Sequence, residues 1–347
     1  MNVAAILALC LICAAPAAGR QDSQAAPRPA DSEDHAIRVT SQSVLVDALV
    51  ENKKTGNLIG NLGAADFVVE EDGQRQRITY FSQDRLPLSV VFLFDLTDTV
   101  RPILKPLAQG ALEILGHLKP QDQVAVMVFS SHTQLLQDFT LDHSLAAAAV
   151  DRASGMKTGE GTFIYEDMYE AVGQALKSTV PNSRRVLVWF TDGTANFENS
   201  LTQKTIGKEA PERLHTKQEA TVRLLQSDAV VAALIDRSAA TDAVIAAMDV
   251  NPLTLMFVGA RTGDISRYAE ITGGPVLRTT KTEAKARLAQ LIDELRARYT
   301  IGYEPSAPKP RGSFCKIRVT LSSDLFKEHA ELKKSNLAVR AKRGYYR

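Results

Sequence analysis

Four runs of apolar residues decide most of what this chain can become. They are LSVVFLFD at 88–95, QVAVMVF at 123–129, RVLVWFTD at 185–192 and AVVAALID at 229–236. None alternates between apolar and polar positions. A strand of that kind has no side to show to water. It must be covered on both faces, as in a parallel sheet with helices above and below. The stretches between the runs supply the helices. In 101–118, Ile103, Leu104, Leu107, Ile114, Leu115 and Leu118 fall on one helical stripe. In 163–178, Ile164, Met168, Ala171, Val172, Ala175 and Leu176 do the same. Strands alternating with helices through right-handed crossovers predict an α/β fold, a doubly wound and mostly parallel sheet. Residues 134–139 read as a short antiparallel edge strand.

The flanks have a different texture. Residues 36–86 are β-rich: IRVTSQSVLVDALVEN alternates, and DFVVEEDGQRQRITYF reads strand, Asp-Gly turn, strand. From 298 to 347 the pattern returns in YTIGYEP, CKIRVTLSS and LAVRAKRGYY. Two or three strands make a poor core alone. The simplest arrangement pairs the two ends of the chain into a small β-sandwich, with the α/β segment 87–297 inserted between them. Within 238–262 the reading stays open between an insertion and a further strand, with a weak helix at 239–248 and an apolar run at 253–260. DISRYAEIT reads as a short helix, PVLRT as a strand and 282–296 as a helix.

The first 19 residues, with an apolar stretch from Val3 to Ala15 and small residues after it, read as a secretory signal peptide. That implies a secreted or periplasmic protein. The stretch 20–35 carries Pro, Ser and charge without apolar spacing and reads as a flexible linker. Cys10 and Cys13 would leave with the signal, so Cys315 alone remains and no internal disulfide is expected. Lys and Arg number 41 against 40 Asp and Glu. That balance predicts no nucleic-acid partner and no bulk attraction to a membrane surface. No apolar run after the leader is long enough for a transmembrane span.

Ligands of open α/β sheets bind beyond the carboxyl ends of the strands, where strand order reverses. Three segments fall at such places. Asp95, Thr97 and Thr99 follow the first buried strand, TGEGT at 158–162 precedes a helix, and Thr191-Asp192-Gly193 follows the strand at 185. Hydroxyls and carboxylates from three loops suit a small, hard divalent cation such as Mg²⁺, which takes oxygen ligands in an octahedron. Two carboxylates only just neutralise the ion, so an outside carboxylate would still be drawn to it. Taken singly, each aspartate is as well explained by helix capping or by a turn.

The set D-x-T-x-T, G-x-G-T and T-D-G resembles the metal-ion-dependent adhesion site of von Willebrand factor type A domains. The resemblance implies a site for Mg²⁺ or Mn²⁺ with Thr97, Thr99 and Thr162 ligating directly. Asp95 and Asp192 would act mostly through water, and Asp98 would point elsewhere. The family's first loop is usually D-x-S-x-S; here both serines are threonines. The flanking DFVVEEDGQRQRITYFSQD, YTIGYEP and AVRAKRGYY are similar to a bacterial, largely acidobacterial, group of secreted proteins with a von Willebrand factor A-related domain. Together these resemblances imply a non-enzymatic binding protein whose partner offers an Asp or Glu side chain, with possible association with the cell envelope.

A rival reading makes Asp95 a nucleophile. FDLTDT also resembles the aspartyl-phosphate motif of haloacid-dehalogenase-type phosphatases, with Mg²⁺ neutralising the phosphate. Thr262-Gly263-Asp264 mimics a later segment of that family but more simply caps the helix at 264–271. A third reading keeps the fold without the metal, as a scaffold. G-x-x-x-x-G-K-[ST], G-x-S-x-G and H-E-x-x-H do not occur. The six histidines have no ligand spacing. Trp189 lies in a buried run and reads as core. The basic tail from Lys333 to Arg347 reads as a solvated strand face, or else as a patch for anionic envelope polymers.

Overall fold

The computed structural model describes residues 43–101, 103–157, 163–191, 214–236, 263–279, 284–307, 309–329, 332 and 336–347. The chain opens with strands β1 (Val44–Asn52), β2 (Phe67–Glu71), β3 (Gln74–Gln76) and β4 (Ile78–Ser82). Then come β5 (Leu88–Asp95), helix α1 (Leu104–His117), β6 (Gln123–Phe129), β7 (Thr133–Thr140), α2 (His143–Gly155) and α3 (Ile164–Ala175). They are followed by β8 (Arg184–Thr191), α4 (Lys217–Gln226), β9 (Val230–Asp236), α5 (Gly263–Thr272), β10 (Val276–Thr279) and α6 (Ala284–Arg296). The last strands are β11 (Tyr299–Tyr303), β12 (Phe314–Leu321), β13 (Leu337–Ala341) and β14 (Gly344–Tyr346).

All four apolar runs are strands of one six-stranded sheet in the order β10-β9-β8-β5-β6-β7. Every pairing is parallel except that of β7, which runs antiparallel to β6 at the edge. Every residue of β5 and β6 is buried. Their side chains alternate between two cores. Val90, Phe92 and Phe94 face α1, α2 and α6, where Leu107, Ala111, Ile114, Ala149, Val150, Leu291 and Leu295 receive them. Val91 and Leu93 face α3, α4 and α5, among Met168, Val172, Leu224 and Ala269. Trp189 is fully buried in the second core, edge-on to Phe129 at 5.4 Å. Each Val, Leu or Phe buried this way contributes about 1.5–3 kcal/mol relative to exposure.

The helix read over 101–118 begins later, at Leu104, because a 3-10 turn at Asp98–Val100 first carries the chain off the strand. Two helices had no counterpart in the sequence reading. In α2 the buried stripe is Ala146, Ala149, Val150 and Ala153, whose small side chains give weak apolar contrast. In α4 the start is marked by a reciprocal cap between Thr216 and Glu219. The run at 253–260 and the stretch 239–248 lie outside the described residues.

The flanking strands form two antiparallel four-stranded sheets, β13-β1-β11-β4 and β14-β12-β2-β3. β1 pairs with both β11 and β13, and β2 pairs with β12, so each sheet joins strands from the two ends of the sequence, alternating in the first sheet and as two adjacent pairs in the second. Val46, Val50, Phe67, Val69, Ile301, Ile317 and Val319 share one core between them. Tyr299 packs there tilted against Phe67, ring centroids 5.0 Å apart, and donates its hydroxyl proton to the Ile59 carbonyl at 2.9 Å. The segment LAVRAKRGYY does not act as a single strand. It leaves one sheet after Ala341 and enters the other at Gly344. The tail's cations are mostly committed there: Arg340 to Glu51 at 2.7 Å, Lys342 to Asp228 at 2.5 Å and Arg343 to Glu270 at 2.6 Å. Lys333 and Lys334 lie outside the described residues.

For function, one consequence of the strand order matters most. The chain winds from β5 to β6 on one side and to β8 on the other. The switch point therefore lies between β5 and β8, and their carboxyl ends are Asp95 and Thr191.

Candidate metal centre

Asp95 closes β5 and is 2% exposed. One of its oxygens, Oδ1, accepts from the backbone N–H of Thr97 at 2.9 Å and from the Thr97 hydroxyl at 2.6 Å. This folds the loop back on the strand end as an Asx turn. The other oxygen, Oδ2, accepts from the Thr191 hydroxyl at 2.8 Å, across the switch point. Thr97 is itself 1% exposed and leads into the turn Asp98–Val100, which contains Thr99. Asp98 is exposed and takes a 2.6 Å hydrogen bond from Arg101, away from this cluster. Of the five residues expected to hold a cation, Asp95 and Thr97 are thus joined. Thr99 follows them in the 3-10 turn, and Thr162 and Asp192 lie outside the described residues. Thr191, immediately before Asp192, ties the end of β8 to Asp95.

The direction of these hydrogen bonds bears on chemistry. Thr97 and Thr191 both send their hydroxyl protons into the Asp95 carboxylate. The lone pairs of each hydroxyl are then what it can present to a cation, and that is the arrangement a neutral oxygen ligand needs. This donor set fits a hard divalent ion. It does not fit a soft one, since among the described residues no thiolate or imidazole takes part.

Asp167 belongs to the same neighbourhood and was not anticipated. It sits one turn into α3, fully buried, on the stripe that also carries Ile164, Met168 and Ala171. Its Oδ1 accepts from the Thr133 hydroxyl at 2.7 Å, and among the described residues no hydrogen bond reaches Oδ2. Burial pushes its carboxyl well above the ordinary carboxylate range, and the nearby charges of Asp95 and Glu166 push it further, against the Thr133 hydrogen bond. The signal was present in the sequence as an acid on the apolar face of a helix. On the outer side of α3, Glu166 accepts from the His215 backbone at 2.8 Å and meets its ring nitrogen at 2.7 Å.

The central sheet, with five parallel strands and one antiparallel edge, makes this an α/β chain with a doubly wound sheet, and D-x-T-x-T lies at its switch point. No protein-family model matches the sequence, and no curated protein matches it. Among solved structures the chain is similar to a von Willebrand factor type A protein from Catenulispora acidiphila. The identity is 11% and the TM-score 0.42, covering 82% of this chain and 71% of that one. It is also similar to a conserved hypothetical protein, BatB, from Bacteroides thetaiotaomicron, at 14% identity and TM-score 0.39, over 60% of this chain and 98% of that one. A third is the vWF domain of the type V pili tip protein Mfa5 from Porphyromonas gingivalis, at 12% identity and TM-score 0.39, over 60% and 96%.

Proposed function

We propose that this is a secreted or periplasmic binding protein that presents Mg²⁺ or Mn²⁺ at the switch point of its central sheet to an Asp or Glu side chain of a protein partner. The β-sandwich built from both ends of the chain is the module that carries this sheet. One observation carries the reading: a buried Asp95 collects hydroxyl protons from the loop after its own strand, Thr97, and from the end of β8, Thr191. Thr97, Thr99 and Thr162 would hold the ion directly, with Asp95 and Asp192 behind them through water. The ion would supply a positive charge that two carboxylates only just neutralise, so a partner's carboxylate completes the site. Among the described residues no helix is long and apolar enough to cross a membrane.

The phosphatase reading asks more of Asp95. A nucleophilic carboxylate needs an oxygen presented to phosphorus. Here both oxygens accept hydrogen bonds and the residue is 2% exposed. Calorimetry separates the possibilities. The expected result is one Mg²⁺ or Mn²⁺ bound per chain, lost in Asp95→Ala and Thr162→Ala. A wild-type protein that takes up neither ion is a scaffold. Turnover of a generic phosphoester that disappears in Asp95→Asn makes it a phosphatase.

A further inference from the structure

A cleft of about 520 Å³ lies where helices α4 and α5 meet strands β12 and β14. It includes no residue of the candidate metal centre. Its floor is apolar: Leu225, Tyr268 and Ile271 are all buried. One wall is the ring pair Phe314 and Tyr346, 5.2 Å apart. Phe314 is 42% exposed, a large apolar side chain left open on that wall. Its position is set by a glycine. A Cβ at Gly344 would meet the Phe314 ring at 2.3 Å, so only a bare backbone lets the ring lie down against the cleft.

The rim carries four cations, Lys217, Arg267, Lys316 and Arg343. Glu270 answers two of them, Arg267 at 3.2 Å and Arg343 at 2.6 Å. Lys316 is exposed and makes no ion pair among the described residues. The chain as a whole is almost neutral, so the four cations of this rim against Glu270 stand above its average charge, over an apolar floor. Its volume falls in the range of about 300–1,000 Å³ that holds small molecules.

We propose that this cleft binds a small organic anion, one sulfonate, phosphate or carboxylate on an aromatic or short aliphatic body. The body lies on Tyr268 and Ile271 against the Phe314 ring, and the anionic group meets Lys316 and Arg343. Aromatic faces and guanidinium or ammonium groups together favour such a ligand over a neutral one of the same shape. The proposal is independent of cation binding at Asp95.

The test is a fluorescence titration of the full chain with 1-anilinonaphthalene-8-sulfonate, beside its uncharged analogue N-phenyl-1-naphthylamine. Saturable binding of one sulfonate per chain is expected, about tenfold tighter than the uncharged analogue, which corresponds to about 1.4 kcal/mol. Lys316→Glu, at an exposed position, is expected to weaken the sulfonate about tenfold and to leave the uncharged analogue unchanged. Phe314→Ala is expected to weaken both, with the melting temperature of each variant checked alongside. Non-saturable binding overturns the proposal. So does equal affinity for the two probes, or sulfonate binding indifferent to Lys316→Glu.

Discussion

A hydroxyl that ligates a cation has to put its proton somewhere else. At this site Thr97 and Thr191 put theirs on Asp95, and the two can be told apart by substitution. Thr97→Val keeps the shape and removes the oxygen. With a ligand oxygen gone, Mn²⁺ affinity should fall about tenfold or more, about 1.4 kcal/mol. Thr97→Ser should hold close to wild type, and a Ser variant as weak as the Val variant excludes a ligating hydroxyl. Thr191→Val removes the hydroxyl that donates to the buried Oδ2 and should destabilise the fold by about 1–3 kcal/mol in urea unfolding. Asp167 makes a different prediction. Its folded carboxyl is raised above the ordinary 3.8, chiefly by burial. The proton it holds therefore favours folding fully below that value, and the benefit is lost as pH rises through the folded pKa. Asp167→Asn should raise the melting temperature at neutral pH, with the gain shrinking below 3.8. A variant no more stable than wild type at neutral pH would show that burial does not penalise this carboxylate. At this scale the sequence exposed Asp95 and Thr97 through their spacing after an apolar run. Asp167 was marked only by its place on the apolar stripe of α3, a weak signal beside a spacing motif.

Elements were legible in proportion to their contrast. The strands at 88–95 and 123–129 begin and end where their apolar letters do, since a fully buried strand admits little else. Helix α2 escaped because alanine is as ordinary on a surface as in a core. The crossing of LAVRAKRGYY between sheets escaped because Lys342 and Arg343 continue the look of a strand while the backbone changes partners. The end of α5 shows what close packing asks of an element. Gly273 has φ +73 and lies against the backbone of Ala341, and a Cβ on Gly274 would meet the Val231 carbonyl oxygen at 1.8 Å. The backbone there cannot yield without moving β9, whose Ala233 N–H donates to the Pro275 carbonyl at 3.0 Å. Gly274→Ala should therefore destabilise by about 1–3 kcal/mol or more, as overpacking does. Gly116→Ala, inside α1 with nothing within 4 Å of a new Cβ, is the control and should be neutral or stabilising by up to about 1 kcal/mol. Equal melting temperatures for the two variants would mean that α5 and β9 are not this tightly apposed.

Across the whole molecule, the central sheet and the paired sheets meet through charge as well as through apolar contact. Arg184 begins β8, is 1% exposed on its side chain and grips Asp47 of β1 with two nitrogens, at 2.6 and 3.1 Å. The same guanidinium donates to the Leu295 carbonyl at 2.7 Å, and Thr300 of β11 donates to Asp47 at 3.0 Å. Arg298 lies close by, fully buried, its Nη2 donating to the Gly273 carbonyl at 2.7 Å. Burial lowers its pKa to about 10, although Asp47 acts to raise it. Burial would likewise push the Asp47 carboxyl up, but Arg184 outweighs it and holds that carboxyl below 3.8. Asp47 is paired directly with Arg184 and shares the charge of Arg298 with Glu294. Asp47→Ala strands the buried Arg184 guanidinium and should cost about 3–5 kcal/mol in urea unfolding at neutral pH. Adding Arg184→Met should recover part of that loss, because the penalty belongs to the stranded charge more than to the missing bond. The pH dependence comes from the lowered carboxyl: the stability that Asp47 contributes is present above 3.8 and is lost as pH falls through its folded value. The gap between wild type and Asp47→Ala should then close in acid. A gap that stays constant through that range would mean the two modules are held by apolar packing alone, with the ion pair incidental to their union.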